Sequence, residues 1–270
     1  MPLNDVKEMY FSQNSINTYD NCYLKFRRRY IDGLYWPGSW VTDKDKRENI
    51  ERGKLFHLLA ERYYSGIPTG DLQHSMDGEV VRWFANLKKF RPLTDEADFF
   101  PEQEIRFCQD GMKIMAKYDL LMAHPDGRAV IFDWKTNANK PKSQYYQRHM
   151  QTIVYRYLLA KAGEDFSPQN KLLPSDISMV YWNPRYPSMV EPISYTQERL
   201  ANDEKLMKDK IREITGRSYE DFYATSDEKK CRYCEYSPIC HGKPMLEDPL
   251  DEIDEELDLD WNDIDESLFE

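Results

Sequence analysis

Apolar residues recur at helical spacing over residues 12–32, at Ile16, Tyr19, Tyr23, Phe26 and Tyr30, with Gly33 just beyond. Hydroxyl and amide residues at the start and a glycine past the end predict one continuous helix there. Residues 36–45, with Pro37 and Gly38, read as a loop. A second helix is expected over 47–64, ahead of Ser65-Gly66, and a third over Gly78–Phe90. The period then falls to two. Residues 99–108, Met112–Ala123 and 128–134 predict three strands joined by turns at Asp110-Gly111 and Pro125-Asp126-Gly127. A helix over 143–162, a short strand over 176–182 and a helix over Gln197–Thr215 follow, ahead of a cysteine-rich loop. Helices, a meander, helix, strand, helix is the order of an α/β layered core with a helical N-terminal part.

At 270 residues, 40% hydrophobic and 14% aromatic, the chain can bury a core and is not a disordered polymer. Its net charge of −11 argues at first against a nucleic-acid partner, but the charge is not evenly spread. Residues 247–270 hold 13 of the 48 acidic side chains, and no Lys or Arg follows Lys243. The remainder has 35 acidic residues against 37 Lys and Arg, so its basic side chains can line a groove. A domain over 1–245 and a flexible acidic tail over 246–270 are therefore expected. The tail reads as a solubilising segment, a docking peptide anchored by Trp261, Leu268 and Phe269, or a mimic of DNA charge. No apolar run approaches the roughly 20 residues of a membrane span, so no membrane partner is expected. The first ten residues do not read as a secretion signal, so an intracellular (cytoplasmic) chain is expected. In that setting five cysteines suggest metal binding before disulfides.

Asp119 falls on the second predicted strand, and Asp133 and Lys135 on the third. Residues two apart on a strand share a face, so two carboxylates and an ammonium can surround one point. Carboxylates suit Mg²⁺ or Mn²⁺, and such an ion can activate water and neutralise a phosphoryl oxygen. An Asp-x-Lys alone is more often a surface ion pair. His57, in an apolar helical setting, is either a core histidine or a nitrogen ligand. Gln151 and Tyr155, four apart, share a helix face. Cys231, Cys234 and Cys240 form C-x2-C-x5-C, with Cys22 the candidate fourth thiolate, a set that fits zinc and iron–sulfur equally on spacing. Cys108 stands apart and is expected to be a small buried apolar residue. Arg27 and Arg28, beside Lys25 and Arg29, are candidates for phosphate contacts or form a solvated helix face, and Tyr145, Tyr146 and Arg148 are candidates for stacking on bases or binding the backbone. Of Glu102 and Glu104 on the first strand, Glu104 is the one considered for water-mediated contact with a metal, though exposure is expected of it.

Taken in order, Gly53…His57, Asp119, Asp133-Trp134-Lys135 and Gln151-x-x-x-Tyr155 resemble the RecB-like branch of the PD-(D/E)XK nucleases, over nearly the whole body of the chain. The resemblance implies a restriction-endonuclease-like core sheet flanked by helices. It implies that His57, Asp119, Asp133 and the Trp134 carbonyl hold the metal. Lys135 then serves catalysis, with Gln151 and Tyr155 beside the DNA path. Tyr118 stands where the family name has proline. The cysteine spacing resembles the iron-staple members, CRISPR-associated RecB-like exonucleases and AddB-type subunits, in which a 4Fe-4S cluster held here by Cys22, Cys231, Cys234 and Cys240 would tie the two ends of the domain together. It implies a metal-dependent deoxyribonuclease, expected to be an exonuclease, in recombination, repair or CRISPR-related processing. A helicase or recombination partner for the acidic tail would fit that setting. The rival readings are a non-catalytic DNA-end-binding or helicase-associated subunit, and a zinc-stapled interaction protein. No G-x-x-x-x-G-K-[ST] loop is present, so any unwinding would need a partner.

Overall fold

Ser12 starts the first helix with a reciprocal cap: its hydroxyl accepts the Ser15 N–H at 3.3 Å, and its own N–H donates to the Ser15 hydroxyl at 3.0 Å. The computed structural model describes residues 5–34, 44–69, 77–138, 140 and 143–246. Residues 247–270, and with them nearly all of the acidic tail, lie outside the described residues, as does most of the loop expected over 36–45.

The one helix expected over 12–32 is in fact three pieces: α1 (Gln13–Asn21), α2 (Tyr23–Phe26) and a π-turn (Arg27–Ile31). The break is at Cys22, which is extended (φ −161°, ψ 118°). A later part of the chain takes over the backbone there. The Leu24 N–H donates to the Tyr223 carbonyl at 3.0 Å, and the Thr225 N–H to the Cys22 sulfur at 3.4 Å. An apolar period does not reveal such a break, because the period continues across it. Two long helices follow, α3 (Lys44–Tyr64) and α4 (Gly78–Phe90), the latter capped by Asp77. The meander is β1 (Asp98–Gln109), β2 (Met112–Ala123) and β3 (Ala129–Trp134). Positive φ at Asp110 and Gly111 makes the first turn two-residue, as the sequence predicts.

The helix expected over 143–162 is likewise divided, into α5 (Ser143–Tyr146) and α6 (Met150–Ala162). At the break the Thr152 hydroxyl donates to the Tyr146 carbonyl at 2.7 Å, so a side chain replaces the helical ladder. β4 (Ile177–Trp182), an unanticipated two-residue β5 (Ile193–Ser194) and α7 (Gln197–Thr215) follow, with short α8 (Glu228–Cys231) and α9 (Ser237–His241) last. Among the described residues no helix is long and apolar enough to cross a membrane.

The five strands form one mixed sheet in chain order, antiparallel except for β3 and β4. A parallel pair needs a crossover, and α6 lies on it. Helices cover both faces. One face packs Ile114, Tyr118, Ile131 and Met179 against α1, α6 and α7. The other packs Leu120, Phe132, Trp134 and Trp182 against Phe56, Trp83 and Phe84 of α3 and α4. The first core also joins the two ends of the chain. Buried Tyr19 donates to Glu213 at 2.8 Å and accepts from the Arg217 guanidinium at 2.8 Å. The Tyr236 hydroxyl donates to the Leu34 carbonyl at 2.6 Å.

Removing the Tyr19 hydroxyl takes one shared partner from two charged groups. Tyr19→Phe should cost about 1–3 kcal/mol in urea or guanidinium unfolding. An unchanged midpoint would mean that other contacts hold α1 to α7.

Candidate active site

The site begins where two strands part. The β2–β3 ladder runs from Ala123 with Ala129 to Leu120 with Phe132. β3 stays with β4 beyond that point, through Trp134 with Trp182 and a 2.9 Å bond from the Lys135 N–H to the Trp182 carbonyl. A side chain bridges the opening: Asp119 Oδ2 accepts the Trp134 N–H at 2.6 Å.

The strand alternation slips at the same place. Tyr118 lies in the core beside α6, yet Leu120, two residues on, lies in the core beside α3. A regular strand would put both on one face. Pro101 pairs with Leu120 and Gln103 with Tyr118, which sets Glu102 against Asp119. Glu102 has φ +50°, in the left-handed region that side chains other than glycine rarely adopt. That conformation costs about 1–3 kcal/mol and marks a site held by its surroundings.

His57 arrives from α3. Its Nε2 is 3.1 Å from the Trp134 carbonyl and its Nδ1 is 3.5 Å from Asp119 Oδ1. Gly53, one turn earlier, permits the approach, since a Cβ there would stand 2.8 Å from the Thr136 hydroxyl. His57, Glu102 and Asp119 each offer a ligand atom within 4.8 Å of the other two. A divalent cation about 2.1 Å from each ligand holds opposite ligands about 4.2 Å apart, so small side-chain shifts would let one ion take all three. The donors, two carboxylates and an imidazole, suit a divalent cation.

The electrostatics agree with a cation site. Burial pushes the His57 pKa down, but the Asp119 carboxylate outweighs it, with Glu102 and Asp133 adding, and the net value is about 9. Burial and the Asp119 charge push Glu102 up to about 7, against the pull of Lys117, whose ammonium is 3.0 Å away. Asp119 is held below its ordinary value: burial opposes ionisation, and His57, the Trp134 N–H and Lys135 overcome it.

Asp133 belongs to a neighbouring network on the α6 side. Its Oδ1 is 3.0 Å from the Lys135 ammonium, and its Oδ2 accepts from Gln151 at 2.7 Å. Lys135 also donates to Gln151 Oε1 at 3.3 Å, as does the Tyr181 hydroxyl at 3.3 Å. Tyr155 is buried and donates to the Lys117 carbonyl at 2.8 Å. Gln151 and Tyr155 thus clamp the strands from beneath. The Asn183 and Arg185 side chains, which the motif reading missed, donate to the Asn137 and Thr136 carbonyls just beyond Lys135.

Of the other candidates, Tyr146 does not offer its ring to solvent. It is 4% exposed and stacks on Tyr181 at 4.1 Å. Arg148 is exposed. Arg27 and Arg28 turn to the C-terminal segment, Arg27 over the Tyr219 ring and Arg28 donating to the Cys240 sulfur at 2.8 Å. Glu104 pairs with Arg106, so Glu102 and not Glu104 joins the ligand set. The sequence shows both carboxylates but not the backbone angle that selects one.

Cys22 meets the C-terminal cysteines. Burial raises the Cys231 thiol, with Cys22 and Cys240 adding. Burial, with Glu235 adding, pushes Cys234 up to about 12. Among the described residues no three cysteine sulfurs lie mutually within 4.8 Å. Cys108 is exposed, not buried as expected.

A family model described as the PD-(D/E)XK nuclease superfamily matches residues 10–81 and 68–241. Among solved structures, a protein from Eubacterium rectale assigned provisionally as an exonuclease is 12% identical, with 92% of each chain covered and a TM-score of 0.48. A second structure, whose name states no activity, is 15% identical with 88% of each chain covered and a TM-score of 0.37. No curated protein matches the chain.

Gly53→Ala should push α3 off Thr136 and carry His57 with it. Calorimetric Mn²⁺ affinity is expected to fall about tenfold, the loss of roughly 1.4 kcal/mol of ligand contact. Adding Thr136→Ala should restore it. Unaltered affinity in the single variant would show that the close approach does not position His57.

Proposed function

The chain belongs to the PD-(D/E)XK nuclease superfamily, and on that footing we propose that it is a divalent-metal-dependent deoxyribonuclease that hydrolyses phosphodiester bonds. The observation that carries this reading is the His57–Glu102–Asp119 set, within 4.8 Å, beside the Asp133–Lys135 pair. Mg²⁺ or Mn²⁺ bound there would polarise a phosphoryl oxygen and acidify a water.

The chain's own residues supply the rest. Asp119 serves twice, as ligand and as the brace that holds the Trp134 N–H. The Trp134 carbonyl fixes the His57 ring, so the ring meets the carboxylates in one orientation. Lys135 places a positive charge where the attacked phosphate gains negative charge. Asp133 and Gln151 hold that ammonium in one place, so little reorganisation is needed when substrate arrives.

The finer reading is a RecB-like exonuclease in recombination, repair or CRISPR-related DNA processing. The motif order and the cysteine spacing support it. In that reading Cys22, Cys231, Cys234 and Cys240 hold a 4Fe-4S cluster that ties the ends of a domain covering residues 1–245. Cys22 lies near enough to Cys231 and Cys234 for its charge to bear on their thiols, which supports a site shared by the two ends.

With Mn²⁺ the purified chain should degrade end-labelled DNA. Lys135→Ala should lower the cleavage rate by about 10²–10³, the loss of one charge-stabilising donor, while DNA binding persists. Cleavage near the wild-type rate would remove Lys135 from catalysis. Protein purified without oxygen should contain iron and sulfide. Cys22→Ser should lose both, and with them the closure of a loop of more than 200 residues, worth roughly 5 kcal/mol if the cross-link acts through loop entropy. Stoichiometric zinc in the wild type would overturn the cluster.

A further inference from the structure

Beside the catalytic lysine lies a row of aromatic rings that ends in solvent. The Lys135 ammonium sits over the Tyr181 ring at 5.4 Å. Tyr181 stacks on Tyr146 with centroids 4.1 Å apart and planes 19° apart. Tyr146 meets Tyr145 at 5.4 Å and His149 at 5.1 Å, and Tyr145 meets His149 edge to face at 4.3 Å. Burial ends with Tyr146, since Tyr145 is 53% exposed.

The break between α5 and α6 creates this arrangement. It lets Tyr146 turn inward onto Tyr181 while the preceding residue stays outside. Scattered exposed apolar residues need no explanation. Tyr145 differs because two ring contacts, through Tyr146 and Tyr181, connect it to the ammonium placed at the scissile phosphate. Arg148, in the same break, is exposed as well.

We propose that Tyr145, supported edge-on by His149, is a stacking platform for an unpaired base of the bound strand. This rests on the nuclease reading and adds a base-contacting residue to it. A base inside a duplex has both faces covered by its neighbours, so a protein ring can reach one only where the strand is unpaired. Every base has a π-face, so the platform tolerates any sequence. Arg148 would hold the backbone on the same side, a contact that weakens with salt.

The test measures binding of fluorescent oligonucleotides without added divalent cation, so that no strand is cut. Tyr145→Ala should weaken single-strand binding about ten- to a hundredfold, the size of one base–aromatic stack. Tyr145→Phe should restore it. Blunt duplex affinity should move by less than about twofold, and a strand of abasic sites should bind the wild type and Tyr145→Ala alike. Undiminished single-strand binding by Tyr145→Ala would overturn the proposal. Equal losses on the abasic strand or the duplex would do so too, as would a wild type that binds no single strand. Metal-dependent cleavage that is lost in Lys135→Ala would still stand in each case, so the platform and the nuclease can fail separately.

Discussion

One hydrogen bond, from the Trp134 N–H to Asp119 Oδ2, holds together the point at which the sheet opens. Backbone pairing between β2 and β3 runs only to Leu120 and Phe132, and beyond it a carboxylate does the joining. A ladder continued past that point would fill the space with backbone. The opening instead leaves room for His57 to approach the Trp134 carbonyl and for Lys135 to reach Asp133. It also means that the carboxylate offered to a cation keeps the two strands in place, so loss of Asp119 would disturb geometry as well as charge.

Gathering Glu102, Asp119 and Asp133 in one place is unfavourable without a cation, and the fold offsets the repulsion locally. Lys117, Lys135 and His57 each stand beside one of the three carboxylates. The left-handed backbone at Glu102 adds a further cost. Positions that lower stability in this way are common where a protein is shaped for binding instead of packing.

The sequence made the frame of the site legible because its residues sit at fixed spacings on regular elements. Asp133 and Lys135 are two apart on a strand, and Gln151 and Tyr155 four apart on a helix. What stayed hidden depends on distant contacts. The Cys22 break is imposed by Tyr223 and Thr225, some 200 residues later. Glu104, not Glu102, is the carboxylate the strand pattern offers to a metal, because the left-handed backbone at Glu102 leaves no mark in the sequence. Tyr146 looked like a surface aromatic because a helical period cannot foresee the interruption that turns it inward. β5, at two residues, is too short for any period to register.

The joining of the chain's ends affects how the protein is made. The groups that hold the Tyr19 hydroxyl, Glu213 and Arg217, follow it by 194 and 198 residues. A ribosome adding about 5–20 residues per second needs roughly 10–40 s to supply them. During that time Ile16, Tyr19 and Phe26 have no finished core to enter, although every element that will carry the carboxylates is already emerging. The nascent chain would therefore display an aromatic helix face as a ready site for a chaperone, and a stalled or truncated product would keep that face exposed.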